Sequence, residues 1–341
     1  MPETLAETVG RWDLEGFVTT SGEFYNQIHE RITFLRKLHF DQYIPTLGAD
    51  QVTDFEMRLE TWLGNIDAED DQRTLIEAVP EIVFFGREEF TKLYQAALRG
   101  PVTRWVIELA GLDFYAADFD ARLVEEIHRH TWFCSVSDSM QISDFCHANH
   151  LGGIDYRPDL RTLSKFGDFT KVLRFMHDPR NGAGGAWPLR RVVILEDFIG
   201  TGTQLEGAQP IVQELLNQGI PVLLVPLLIC PEGNRRVEAL FGRHPLFRSE
   251  PVLSLNSELF ITATPPPSKP FAQRLSELAI RSYPRVIGNN AATPRPYTPF
   301  GFLRTGAMVV MYSNTPANTL PLIQHSSNTW QPLFPRSARV K

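Results

Sequence analysis

Two adjacent carboxylates and the loop that follows them are the residues of this sequence best suited to chemistry. Glu196 and Asp197 end a short apolar run, and the loop contains Gly200, Thr201, Gly202 and Thr203. The backbone N–H groups of such a loop, next to a helix N-terminus, can surround a phosphate, and its threonine hydroxyls add donors. The carboxylates cannot also bind that phosphate because like charges repel, but they suit ribose hydroxyls or the outer shell of Mg²⁺. A phosphate site beside a diol site indicates a ribose 5-phosphate.

The neighbouring sequence predicts elements that would hold these residues in place. The run 192–195 is short, continuous and rich in β-branched residues, as in a parallel strand that is covered on both faces. Apolar residues in 205–216 have helical spacing, and Gly219 is suited to end that helix. A second apolar run, 220–230, follows at once. This order of strand, loop, helix and strand is a βαβ unit, whose loop lies where open α/β sheets bind ligands.

Strand geometry leads to a prediction for each carboxylate. Adjacent side chains in a strand point to opposite faces, but we expect the chain to bend already at Glu196 and Asp197. Asp197 would then contact the ribose and bind the metal, while Glu196 would reach the second hydroxyl or the water shell of the metal. These two are the predicted catalytic residues.

Residues 193–203 resemble the phosphoribosyl pyrophosphate (PRPP) motif of type I phosphoribosyltransferases, which is an apolar strand, two acids and a Thr-Gly-Thr type of loop. The resemblance implies an α/β fold with a parallel sheet, PRPP or a nucleotide as substrate, and Mg²⁺ as cofactor. A Gly-rich turn of a dinucleotide-binding fold is the alternative, although that fold favours G-x-G-x-x-G and a later acidic residue. A hypoxanthine-type reaction is disfavoured, because enzymes of that type carry an Asp where this chain has Gly200.

A second polar loop follows the apolar stretch 131–136 and contains Ser137, Asp138 and Ser139. In phosphoribosyltransferases the loop after the first core strand binds pyrophosphate, and by order these three residues occupy that position. A simple polar turn fits the residue types equally well. The glycine-rich sequence between 151 and 190 suits either a loop that closes over the site and keeps water away or a connector.

Composition excludes several classes of protein. Of the 341 residues, 43% are hydrophobic and 21% charged, which is typical of a globular protein and excludes collagen-like and disordered chains. The N-terminus lacks the apolar stretch of a secretory signal, and the longest apolar run is too short to span a bilayer, so we expect a cytoplasmic protein without membrane contact. Three cysteines predict neither a disulfide framework nor a CxxC metal site. A zinc site at Cys146, His147 and His150 stays open, although the spacing matches no tetrahedral pattern.

Charge is distributed unevenly along the chain. The net charge is -7, yet Glu277 is the last carboxylate side chain. The basic residues beyond it are Arg281, Arg285, Arg295, Arg304, Arg336, Arg339 and Lys341. Such a segment favours a nearby anionic ligand or surface, or simply balances an acidic body.

Periodicity divides the chain into two predicted domains. Residues 1–120 have helical spacing without a polar cluster, so we predict an α-helical cap or partner-binding domain. Residues 121–341 would form the phosphoribosyltransferase-like α/β domain. Together with the loop, the polar C-terminal stretches 313–321 and 328–336 resemble the PRTase-CE group of bacterial conflict systems. That resemblance implies an effector such as those of anti-phage retrons, with a reverse transcriptase, its DNA–RNA hybrid and a winged-helix protein as partners.

The sequence therefore predicts an enzyme that binds PRPP or a phosphoribosyl nucleotide with Mg²⁺ and performs transfer or hydrolysis at ribose C1. The enzyme would supply position and charge neutralisation instead of a covalent nucleophile. The alternative is a non-catalytic regulator or sensor that binds the same ligand. A homo-oligomer stays open.

Overall fold

The computed structural model describes residues 4–16, 24–45, 54–137, 139–152, 169–177, 189–288 and 297–337. Two compact units divide the chain. Unit 1 combines Met1–Arg87 with Glu258–Lys341, and unit 2 is Glu88–Ser257. The predicted division at residue 120 differs from this one, because the C-terminal segment packs with the N-terminal helices.

The described elements are helices and strands. The helices are α1 (Leu5–Gly16), α2 (Phe24–Leu38), α3 (Phe55–Leu63), α4 (Glu69–Ala78), α5 (Arg87–Ala97), α6 (Thr103–Ala110), α7 (Phe119–His130), α8 (Ile142–Ala148), α9 (Phe169–His177), α10 (Gln204–Asn217), α11 (Pro231–Phe241), α12 (Pro270–Ile287) and α13 (Pro321–Gln324). The strands are β1 (Val83–Phe85), β2 (Thr131–Ser135), β3 (Arg191–Ile199), β4 (Val222–Ile229), β5 (Phe247–Ser249), β6 (Leu253–Ser254), β7 (Tyr297–Thr298), β8 (Gly301–Phe302) and β9 (Val309–Met311). Within the described residues, no helix has the length and apolarity needed to cross a bilayer.

Unit 1 contains the predicted N-terminal helices and one strand pair that the sequence did not predict. Asp54 caps α3 by accepting a hydrogen bond of 3.0 Å from the Met57 backbone N–H, and acids fill the first turn of α4. The run that includes Val83 lies within residues 1–120, which were predicted to be helical, and that prediction is wrong for this run. It forms β1, which pairs in parallel with β9, Val83 lying opposite Val309. Its partner is at the other end of the chain, so local sequence does not reveal it.

The C-terminal segment belongs to the core of unit 1. The Tyr43 hydroxyl donates to the Pro335 carbonyl at 2.6 Å and lies 3.0 Å from the Thr315 hydroxyl. The indole N–H groups of Trp62 and Trp330 both donate to the Leu322 carbonyl, at 2.7 and 3.0 Å. Buried polar bonds of this kind fix the segment against α3 and against the residues that follow α2.

Unit 2 is built around a parallel sheet in the order β2-β3-β4-β5, with β6 pairing farther along β4. This confirms the α/β fold class with a parallel sheet. Trp132 and Ile194 belong to a core that includes Val212 of α10 on one face of the sheet. Phe133 on the other face contacts Phe145 of α8, with ring centroids 5.5 Å apart. The sheet is thus covered on both faces, as its continuous apolar strands predict.

The βαβ unit forms as predicted, with one difference in β3. Gly219 has a φ of +75° and follows α10, where its N–H donates to the Leu216 carbonyl at 3.0 Å, so it ends the helix. However, β3 does not stop or bend at the two carboxylates. It continues to Ile199 because its distal half also pairs with β4, Phe198 lying opposite Leu228. Glu196 and Asp197 therefore lie in extended chain.

Candidate functional site

The candidate site lies in unit 2, where the loop after β2 passes beside the distal half of β3. Strand pairing between β2 and β3 ends with Ser135 opposite Leu195. The next two residues of β3 are Glu196 and Asp197, so both carboxylates lie just beyond the end of β2. The chain that leaves β2 is close enough to bond to them.

Glu196 is buried, with 0% of its surface exposed. Its Oε2 accepts a hydrogen bond of 3.1 Å from the backbone N–H of Ser137, and its Oε1 accepts one of 2.6 Å from the Ser137 hydroxyl. The side-chain amide of Gln204 also donates to Oε1, at 2.6 Å. The structure therefore gives this carboxylate protein donors where the sequence predicted a ribose hydroxyl or metal-bound water.

Asp197 is 4% exposed and bonds to the other serine of the same loop. The Ser139 hydroxyl donates to its Oδ1 at 3.1 Å, and the backbone N–H of Phe198 donates to that oxygen at 2.9 Å. The hydroxyls of Ser137 and Ser139 are 2.7 Å apart. Two of the three predicted pyrophosphate-loop residues are thus brought to the two acids, while Asp138 lies outside the described residues.

The predicted phosphate loop connects β3 to α10. Gly200, Thr201 and Gly202 are buried and Thr203 is half-buried. Gly202 has a φ of +76°, a conformation that glycine adopts without strain. Its carbonyl accepts from the Leu205 N–H at 3.0 Å, which begins the first turn of α10. The loop therefore leads into a helix N-terminus, as a phosphate cradle requires.

Sequence reasoning missed three residues that hold this loop, namely Gln204, Gly233 and Arg236. A Cβ at Gly233, in the first turn of α11, would lie 2.7 Å from the Ile199 carbonyl oxygen and 2.8 Å from that of Gly200. The aliphatic part of the Arg236 side chain packs closely on Gly202, and the Arg236 guanidinium bonds to Glu206 of α10. A glycine inside a helical pattern is a signal of such close backbone approach.

The oxygen-rich donor set suits Mg²⁺ better than zinc. Mg²⁺ binds through one or two carboxylates together with substrate phosphates and water, and Asp197 with the serine hydroxyls provides hard oxygen donors. In the part of the chain that the structure describes, no three His, Cys, Asp or Glu side chains are grouped as metal ligands. Cys146, His147 and His150, which are all described, do not form such a group.

The cysteines are poorly placed for covalent chemistry. None of the three forms a disulfide bond, and all three are buried. Burial raises the pKa of the Cys230 thiol to about 12, so that almost none of it is thiolate at neutral pH. This agrees with a site that acts by positioning rather than through a thiolate.

Ion pairs in unit 1 account for part of the C-terminal basic charge. Arg281 bonds to Asp71 of α4, and Arg274 on the same helix bonds to Glu77. Arg281 therefore balances the charge of an acidic helix, which agrees with the interpretation that the basic segment balances an acidic body. Arg336 also belongs to unit 1. It lies close to His325, and its charge, together with burial, lowers the pKa of that histidine.

Comparison with known proteins identifies a family. Searches of curated proteins and of solved structures give no match. The family model PRTase-CE matches residues 59–336, which include both loops, both carboxylates and the C-terminal segment of unit 1. The chain belongs to the PRTase-CE family, and its α/β fold is of the phosphoribosyltransferase-like type.

Proposed function

We propose that this protein binds PRPP or a phosphoribosyl nucleotide together with Mg²⁺ and acts on ribose C1. One observation carries the proposal. Ser137 and Ser139, after β2, bond to Glu196 and Asp197, on β3, so the predicted pyrophosphate loop lies against the two carboxylates that precede the predicted phosphate loop. A ligand with a phosphate at one end and a pyrophosphate at the other would be held by both loops.

Each part of the site then has a separate task. The loop of Gly200, Thr201, Gly202 and Thr203 would hold the 5-phosphate with backbone N–H groups. Asp197 would accept from a ribose hydroxyl and bind Mg²⁺ directly or through water, and the loop around Ser139 would receive the pyrophosphate. Bound Mg²⁺ would neutralise charge on the pyrophosphate leaving group.

The reaction would be displacement at C1. The C1–O bond breaks, pyrophosphate leaves with the electron pair, and water or an acceptor forms the new bond to C1 and releases a proton. With a nucleotide, the C1–N bond breaks instead, and the base leaves with the electron pair and takes up the proton that the water or acceptor releases. The described residues contribute orientation and charge complementarity, which are sufficient for a reaction of this type when the ligand is fixed in line with its acceptor.

Family membership supports a biological proposal as well. We propose that the protein is a toxic effector of a bacterial anti-phage defence system, such as a retron, and depletes a nucleotide pool when activated. Its partners would then be a reverse transcriptase with its DNA–RNA hybrid and a winged-helix protein. The proposal places the protein in the cytoplasm, where these molecules are found.

Product analysis tests the enzymatic proposal. The full chain is incubated with PRPP or with a nucleotide pool plus Mg²⁺, and the products are identified by mass spectrometry. We expect ribose 5-phosphate or a new phosphoribosyl compound, formed by the parent and not by Asp197→Asn. Tight binding without any product, under activating and non-activating conditions, would contradict an enzyme and support the regulator.

A further inference from the structure

Two side chains, the buried Glu196 and the exposed Gln204, connect the phosphate loop to the pyrophosphate loop. We propose that Gln204 and Glu196 are positioning residues that couple these loops, so that a ligand group bound in one raises the affinity of the other. The inference rests on the proposed function, since it assigns ligand groups to both loops. It gives Gln204 a role, and it makes Glu196 a link between loops in place of a ligand of the ribose.

A single carboxylate oxygen joins the two sides. Oε1 of Glu196 accepts from the Gln204 amide and from the Ser137 hydroxyl, each at 2.6 Å. The same Gln204 nitrogen donates to the Phe198 carbonyl at 3.0 Å. Gln204 is the first residue of α10, so its amide ties the end of the phosphate loop back to the strand from which that loop departs.

The chain of hydrogen bonds continues to the second acid. Oε2 of Glu196 accepts from the Ser137 backbone N–H, so this one carboxylate holds both the main chain and the side chain of that serine. The Ser137 hydroxyl, whose proton goes to Glu196, lies 2.7 Å from that of Ser139, and Ser139 donates its single proton either to Ser137 or to Asp197. Hydrogen bonds to a carboxylate are strong, and their strength rises where water is excluded, as it is at this fully buried residue.

Coupling follows because neither loop can move without disturbing the other. Displacement of the pyrophosphate loop moves Ser137 and weakens its bonds to Glu196, and displacement of the phosphate loop moves Gln204 on the same oxygen. A ligand that fixes one loop therefore favours the bound geometry of the other. Such coupling is reciprocal, so each ligand must change the affinity of the other by the same factor.

The two halves of PRPP serve as probes. The dissociation constant of ribose 5-phosphate is measured by calorimetry on the full chain, with and without saturating Mg²⁺-pyrophosphate, and the reverse titration checks reciprocity. We expect each half to tighten the other about tenfold in the parent, within the usual range of coupling between sites. In Gln204→Ala and Gln204→Met this factor should fall to near one, since neither side chain can donate to Glu196. Gln204→Met keeps the length of the side chain, which limits effects on folding.

Gln213→Ala is the matched control, because Gln213 lies on the same helix and bonds only locally in the described structure, to Asn217 at 3.2 Å. It should keep the parental factor. A parental coupling factor in both Gln204 variants would overturn the inference. A merely structural role would lower the affinity for both halves equally and leave the coupling factor unchanged, and that result would overturn the inference as well. A parent that binds neither half would overturn the proposed function, and the inference with it.

Discussion

Glu196 and Asp197 are neighbours with different surroundings. Side chains alternate between faces along a strand, and β3 stays extended through both residues, so each carboxylate meets a different part of the loop after β2. The sequence was sufficient to select this pair and the loop beside it. It could not show that Glu196 would be enclosed, because its partner Ser137 is 59 residues away along the chain.

Glu196→Gln tests the structural role of this carboxylate. The new NH₂ group would face the backbone N–H of Ser137 in one orientation, and the Ser137 hydroxyl with the Gln204 amide in the other, so a donor would meet a donor in either case. Breaking a buried bond to a charged group in this way should lower the free energy of unfolding by about 1–3 kcal/mol. Urea unfolding measures the change.

Glu125→Gln is the matched control, because Glu125 is a partly exposed residue of α7 whose ion pair with Arg129, at 3.8 Å, lies within its own helix. It should change stability by less than about 0.5 kcal/mol. Unchanged or greater stability of Glu196→Gln would contradict the role described above, and would indicate that relief of repulsion between the neighbouring acids dominates.

At the scale of elements, α11 packs against the phosphate loop and the end of β3. Gly233 leaves no room for a side chain between α11 and the end of β3, and Arg236 packs on Gly202. The helices of the βαβ unit were predictable from apolar spacing and from Gly219. The packing of the next helix against the loop was not predictable, because it depends on how closely two backbones approach each other.

A pair of glycine substitutions tests this support. Gly233→Ala would place a methyl group against two backbone carbonyls, which cannot move as a flexible side chain would, so we expect a loss of about 1–3 kcal/mol of stability. Gly207→Ala in α10 meets no atom within 4 Å and should instead stabilise the helix by about 0.5–1 kcal/mol. Denaturant unfolding compares the two, and equal effects would contradict the packing argument.

The short strands show where local sequence is insufficient. β1 and β6 contain three and two residues, and each is defined by its partner in the sheet rather than by its own pattern. In the stretch 252–261, Leu253–Ser254 forms β6, a short 3₁₀ helix follows at Ser257–Leu259, and Phe260 forms an isolated bridge with Ala307. β5 and β6 form because β4 offers them hydrogen bonds, and β1 forms because β9 does.

For the whole molecule, the two units do not follow one another along the chain. Composition and periodicity predicted a helical region followed by an α/β domain. The chain instead leaves unit 1 after β1, forms the whole of unit 2, and returns to complete unit 1. Trp330 and Phe334 are fully buried there, so the C-terminal segment is part of a core and cannot be separated from the N-terminal helices.

Two fragments test this arrangement. Residues 88–257 contain the complete sheet and every described residue of the candidate site, so this fragment should unfold cooperatively and keep ligand binding. Residues 121–341 would expose the apolar surface that α2 and α3 cover, and should aggregate. Size-exclusion chromatography and circular dichroism give the comparison. A monodisperse, folded 121–341 with an aggregating 88–257 would support the division at residue 120 instead.

The most direct test is the thermal shift caused by Mg²⁺-PRPP in the parent and in Asp197→Asn. Asn retains the Oδ1 that accepts from Ser139 and Phe198, so the variant should melt near the parental temperature without ligand. At about 100 times the dissociation constant, the ligand should stabilise the parent by about 2.7 kcal/mol. Glu125→Gln should shift like the parent, while Asp197→Asn should show little or no shift. A parental shift in Asp197→Asn would contradict a phosphoribosyl site at this carboxylate.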